Sequence, residues 1–188
     1  MSTKTLGVSA GGGSPYFVRD LEALVETPYS ETDTARATGR VYYIPFQVRH
    51  TLTADGLIVI HGAVAAGNLY VALYDIDPTV PPQPRNRLAV SANTVANGTT
   101  RRQYVAFITT IQLQSGIYFG ALETDNALDT YRLAYNSIAS FAAGPINGLT
   151  CFYEDLGPYV IPPAVATPLV IITANDSTKM RLRVSSIP

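Results

Sequence analysis

Apolar residues recur along this chain with a period of two, in short runs separated by turn-forming residues. Over 41–48, Tyr42, Ile44, Phe46 and Val48 fall on one face of an extended strand, because side chains alternate between the two faces of a strand. Thr53-Ala54-Asp55-Gly56 reads as a turn. Apolar strands follow over 57–64 and 69–76, separated by Ala65-Ala66-Gly67-Asn68. Over 103–113, Val105, Phe107, Ile111 and Leu113 share a face, and Gln114-Ser115-Gly116 turns the chain into a strand over 117–123. Tyr131, Leu133 and Tyr135 alternate with Arg132 and Ala134, and Leu149, Cys151 and Tyr153 with Thr150 and Phe152. Met180, Leu182 and Val184 alternate with Arg181 and Arg183. The continuously apolar 169–172 reads as a central strand, and 87–90 as a short additional one. The pattern predicts about ten strands in an all-β sandwich or barrel rather than a nucleotide-binding α/β fold, with Asn97-Gly98, Asn147-Gly148 and Asn175-Asp176 as turns.

Residues 1–39 break this rhythm and read as an extended N-terminal anchoring arm, with the sandwich over 40–188. Gly11-Gly12-Gly13-Ser14 is a flexible hinge. Residues 20–26 predict one or two helical turns in which Leu21, Leu24 and Val25 share a face at i, i+3, i+4 spacing. So short a helix needs a partner surface, which makes these three residues the expected assembly anchor. Two proline-rich connections, 78–86 and 154–168, are stiff and extended. Prolines of this kind also blunt sheet edges.

Composition narrows the function. Hydrophobic residues make up 47% of the 188 and charged residues 14%, which permits a large core beneath a thinly charged surface that suits association and equally an ordinary β domain with a polar Thr/Asn/Gln surface. The net charge of −1 comes with no basic stripe, which argues against nucleic-acid binding. No apolar run approaches the roughly 20 residues that span a bilayer, and the start of the chain lacks the apolar stretch of a signal peptide. The single cysteine, Cys151, lies in an alternating apolar run and reads as a core thiol.

Candidate chemistry is sparse. Gly7-Val8-Ser9-Ala10-Gly11 fits a serine-hydrolase pattern, but it lacks the preceding strand and following helix that form a nucleophile elbow. His50 and His61 have no metal-ligand spacing. Asp75 and Asp77 place two carboxylates on the same side of a strand end, and Glu123, Asp125 and Asp129 form a second acidic group around Asn126, the candidate ligand loop. Carboxylate and carbonyl oxygens suit calcium, yet the spacing matches no calcium loop, and aspartates at strand ends more often cap turns. The reading is therefore of a protein without cofactor, metal or catalytic residues. Tyrosine, at 12 residues, is abundant in or near strands, where it serves equally as core, interface or sugar platform.

The runs Val41-Tyr42-Tyr43-Ile44-Pro45-Phe46-Gln47-Val48 and Leu52-Thr53-Ala54-Asp55-Gly56-Leu57-Ile58-Val59 resemble the opening of jelly-roll domains in tailed-phage virion proteins. Leu69-Tyr70-Val71-Ala72-Leu73-Tyr74-Asp75, after its small-residue turn, and Gly116-Ile117-Tyr118-Phe119-Gly120-Ala121-Leu122 resemble strands of the same domains. The resemblance spans roughly 41–125 and transfers no binding site. It implies a jelly-roll-like sandwich in a non-enzymatic virion protein, often a homotrimer, assembled in the host cytoplasm. The leading expectation is a small tail-fibre or tail-tip protein contributing to host adhesion. The alternatives are a capsid decoration protein and a carbohydrate-binding module. The partners implied are further copies of itself, tail, baseplate or major capsid proteins, and a host surface glycan.

Overall fold

The computed structural model describes residues 21–22, 33–78, 82–98, 102–132, 151–167, 170–171 and 180–187. Among the described residues all elements are strands: β1 (Leu21–Glu22), β2 (Asp33–Ala35), β3 (Arg40–Val48), β4 (Leu52–Ile60), β5 (Asn68–Asp77), β6 (Gln83–Val90), β7 (Thr94–Val95), β8 (Arg102–Leu113), β9 (Gly116–Thr124), β10 (Thr130–Arg132), β11 (Phe152–Asp155), β12 (Val170–Ile171) and β13 (Met180–Ser186). They form a four-stranded sheet in the order β1-β13-β4-β8 and a seven-stranded sheet in the order β12-β11-β3-β9-β5-β6, with β7 also on β5. A small β10-β2 pair completes the set. Every pairing is antiparallel. The fold is an antiparallel β-sandwich.

The expected alternation builds the space between the sheets. Tyr42, Ile44, Phe46 and Val48 of β3 and Leu69, Val71 and Leu73 of β5 meet Leu57 and Val59 of β4, Val105 and Leu113 of β8, and Met180 and Leu182 of β13. Removing each such side chain from water contributes about 1.5–3 kcal/mol. Gly120 keeps the two layers close, since a Cβ there would lie 3.3 Å from Leu57 and 3.4 Å from Met180 and Phe46. The chain changes sheets twice at one end of the sandwich. Arg49, His50 and Thr51 link β3 to β4, and Gln114 and Ser115 link β8 to β9, with Leu52 paired to Leu113 and Val48 to Gly116.

The seven-stranded sheet is buried on its other face as well. Val41, Tyr43, Ala72, Tyr74, Phe119, Ala121 and Phe152 form a second cluster there. Residues 156–167, which leave β11, lie over this cluster as a strap. The strap then runs along β6, where Arg87 N–H donates to Ala164 O, Ala166 N–H donates to Arg85 O, and Asn86 pairs with Val165. Burial on both faces explains why 41–46 is apolar without interruption.

Several expectations are corrected. Residues 53–56 are not a turn but lie inside β4. Both of its ladders shift register beside Asp55, where Gly56 fits against Val105 O and Tyr104, at 2.3 and 2.5 Å from its would-be Cβ. The turn lies one step earlier, around His50. Leu21 and Glu22 belong to a strand rather than a helical turn, pairing with Leu182 and Arg181. Along β13 a strand gains backbone hydrogen bonds that an isolated helical turn lacks. β12 ends the sheet order instead of lying centrally. β6 begins at Gln83, so part of the proline-rich 78–86 connection is strand, with Pro84 on an edge strand where the missing N–H is tolerated. Of residues 1–39, those described join the sandwich: β2 pairs with β10, and the buried Arg36 lies 4.4 Å above the Tyr42 ring.

Candidate functional site

The four members of the expected ligand loop do not converge on one point. Asp125 holds the start of β5, accepting from Asn68 N–H and from Asn68 Nδ2, both at 2.6 Å. This supports Gly67, whose φ of +78° favours glycine. Asn126 accepts from Leu128 N–H at 2.9 Å in an Asx turn. Asp129 is fully buried against His61 and Tyr131. Glu123 faces the strap, accepting from Val160 N–H at 3.0 Å. Asp75 binds Asn86 through both backbone and side chain, across a register shift between β5 and β6. Among the described residues, no three His, Cys, Asp or Glu side chains gather as a metal ion would require. Of the expected anchor, Leu21 pairs by its backbone with β13 of its own chain, while Leu24 and Val25 lie outside the described residues.

Asp125, Asn126 and Asp129 instead brace one end of the sandwich. The connections at 61–68, 91–98 and 125–130 are tied together by main-chain bonds: Ala96 N–H to Gly67 O, Asp125 N–H to Asn68 O, and Thr130 N–H to Val64 O. The Thr130 hydroxyl also accepts from Val64 N–H. On these rigid connections three apolar side chains are exposed: Val64 at 39%, Val95 at 65% and Leu128 at 71%.

Beneath this end lies a buried polar network centred on His61. Gln103 donates from Nε2 to Val95 O at 2.8 Å and accepts at Oε1 from Asn97 N–H at 3.0 Å. That fixes its amide orientation, so Oε1, 2.7 Å from His61 Nε2, accepts and Nε2 carries the hydrogen. His61 Nδ1 lies 3.3 Å from Asp129 Oδ1, and Tyr131 donates to Asp129 Oδ2 at 2.5 Å. Burial pushes the Tyr131 hydroxyl far up, with the Asp129 charge adding to it. His61, Asp129 and Tyr131 are all closed to solvent. The network pins β10 to the end of β4, where His61 pairs with Tyr131. Sequence spacing offered no sign of it, since His61, Gln103 and Asp129 are brought together only by the sheets.

The strap face is the second concentration of polar groups. Tyr43 donates to Glu154 Oε2 at 2.9 Å, and the Thr167 hydroxyl donates to Glu154 Oε1 at 2.8 Å. Tyr74 donates to Pro163 O at 2.6 Å, and Arg87 Nη1 donates to Pro162 O. The Tyr43 and Tyr74 rings meet edge to face at 5.1 Å. Tyr159 of the strap stacks on Tyr70 at 5.2 Å and donates to Asn93 Oδ1. The prolines supply carbonyl acceptors without an N–H that would need its own partner.

Comparison with models of protein families, with curated proteins and with solved structures yields no match.

Proposed function

We propose that this chain is a non-enzymatic structural protein of a tailed-phage virion, most simply a small tail-fibre or tail-tip protein that contributes to host adhesion. The observation that carries the reading is the braced end of the sandwich. There Asp125 and Asn126 hold the loops by accepting main-chain hydrogen bonds, and Val64, Val95 and Leu128 face outward. A rigid β scaffold presenting apolar side chains on short loops suits recognition. The resemblance of 41–125 to virion jelly-roll domains points the same way.

Immunogold labelling of intact particles with an antibody to this chain tests the proposal. Label at the tail tip is expected. Label spread over the head would replace this reading with a decoration protein, and unlabelled particles would overturn a virion role. Leu128→Asp should reduce particle adsorption or incorporation while leaving the melting temperature within a few degrees of wild type, because Leu128 is exposed.

A further inference from the structure

Glu123 is the least satisfied ionisable group on the strap face. Its side chain is closed to solvent, Oε1 accepts the single bond from Val160 N–H, and Oε2 has no hydrogen-bond partner among the described residues. A buried carboxylate with an idle oxygen is costly when charged and far less so when protonated. At the start of the strap that covers it, Gly157 has a φ of +83°, and a Cβ there would meet nothing within 4 Å. Beyond Gly157, strap backbone is held along its length by bonds to Glu123, Tyr74 and β6.

We propose that residues 156–167 form a pH-sensitive cover, seated over the second core while Glu123 is protonated and loosened when its carboxyl ionises. The inference does not depend on the virion reading.

The surrounding charges support it. Tyr70, the cross-strand partner of Glu123, and Tyr159 stacked on it close one side. Tyr74 and Tyr43, with Glu154 from β11, line the rest of the face. Burial holds Tyr43, Tyr74 and Tyr159 well above the ordinary phenol range, so they stay neutral near neutrality. Arg87 of β6 acts on Tyr74 and is engaged with Pro162 O, and Asp125, just past the end of β9, is tied to Asn68. Burial pushes Glu123 up to about 7, only partly opposed by the Val160 N–H.

The sign follows from linkage. With the strap lifted, Glu123 is hydrated and its pKa returns to about 4.3. The closed state is therefore fully favoured below that value and loses ground as pH rises through about 7. The opening equilibrium should increase roughly ten-fold between pH 6 and pH 8.

Hydrogen exchange of the full chain at the two pH values, corrected for intrinsic rates, reads this directly at the amides of Val160 and Ala166. The expected result is a roughly ten-fold loss of protection at pH 8, absent in Glu123→Gln, which cannot ionise. Equal corrected protection in the wild-type chain at both values, or the same loss in Glu123→Gln, would overturn the proposal. Should Glu123→Gln fail to fold, carboxyl-carbon NMR of the wild-type chain decides. A Glu123 midpoint near 7 together with the exchange change upholds the switch, and a midpoint below 5 sinks it.

Discussion

Gly39 and Gly157 face each other where the strap leaves the sheet, and both have a positive φ, +72° and +83°. They should nonetheless respond differently to substitution. A Cβ on Gly39 would sit 2.0 Å from Gly157 O, whereas one on Gly157 meets nothing within 4 Å. Gly157→Ala therefore carries only the backbone strain, about 1 kcal/mol, while Gly39→Ala adds a clash with main chain and should cost at least about 2–3 kcal/mol. Urea unfolding of the two variants measures the difference, and equal losses would contradict this account. Gln103→Leu is a second test at this scale. It removes the partner of Asn97 N–H, of His61 Nε2–H and of Val95 O in one step. Leaving the buried His61 Nε2–H and two part-buried main-chain groups unpaired should destabilise by about 2–4 kcal/mol. A loss below about 0.5 kcal/mol in the same assay would mean that these groups find other partners.

At the scale of the element, the strap protects an edge. β6 ends the sheet order, and its outward backbone groups are met by Ala164 and Ala166. Ala166→Pro removes the N–H that bonds Arg85 O and should bare part of that edge to pairing with another chain. The expected outcome is concentration-dependent self-association in light scattering with far-UV circular dichroism unchanged. An unaltered size distribution would show that the prolines alone keep the edge unreactive. The same element shows what can be read in a linear sequence. The prolines at 158, 162 and 163 pointed to a stiff crossing. Its docking on Tyr43, Tyr74 and Glu123 did not, because those residues lie far from it in the chain. Likewise, the Thr53-Ala54-Asp55-Gly56 composition is that of a turn, and only the close approach of β8 to Gly56 makes it a bulge within β4.

For the whole molecule, the raised Glu123 carboxyl predicts a stability that declines from mildly acidic to mildly alkaline pH. Unfolding hydrates the group and lowers its pKa, so the unfolded chain gives up its proton first as pH rises. With Glu123 held up to about 7, the folded state should lose on the order of 3 kcal/mol from this group between pH 4.5 and pH 8. Thermal melts of wild type and Glu123→Gln across that range isolate the contribution. A wild-type profile parallel to that of the variant would assign the pH dependence elsewhere.

The strand content and the inward face of the sandwich were settled by local alternation. Tyr42, Ile44, Phe46 and Val48, or Val105 and Leu113, face inward because side chains on a strand alternate whatever surrounds them. Which strands become neighbours, and what covers the outer face of the larger sheet, was decided by the tertiary structure. So was the joining of His61 with Gln103 and Asp129. These depend on contacts between residues distant in sequence, and a local pattern carries no term for a partner it does not contain. Glu123 shows the division most directly: period two places it on the outer face of β9, and only the strap crossing above turns that exposed position into a buried, titrating one.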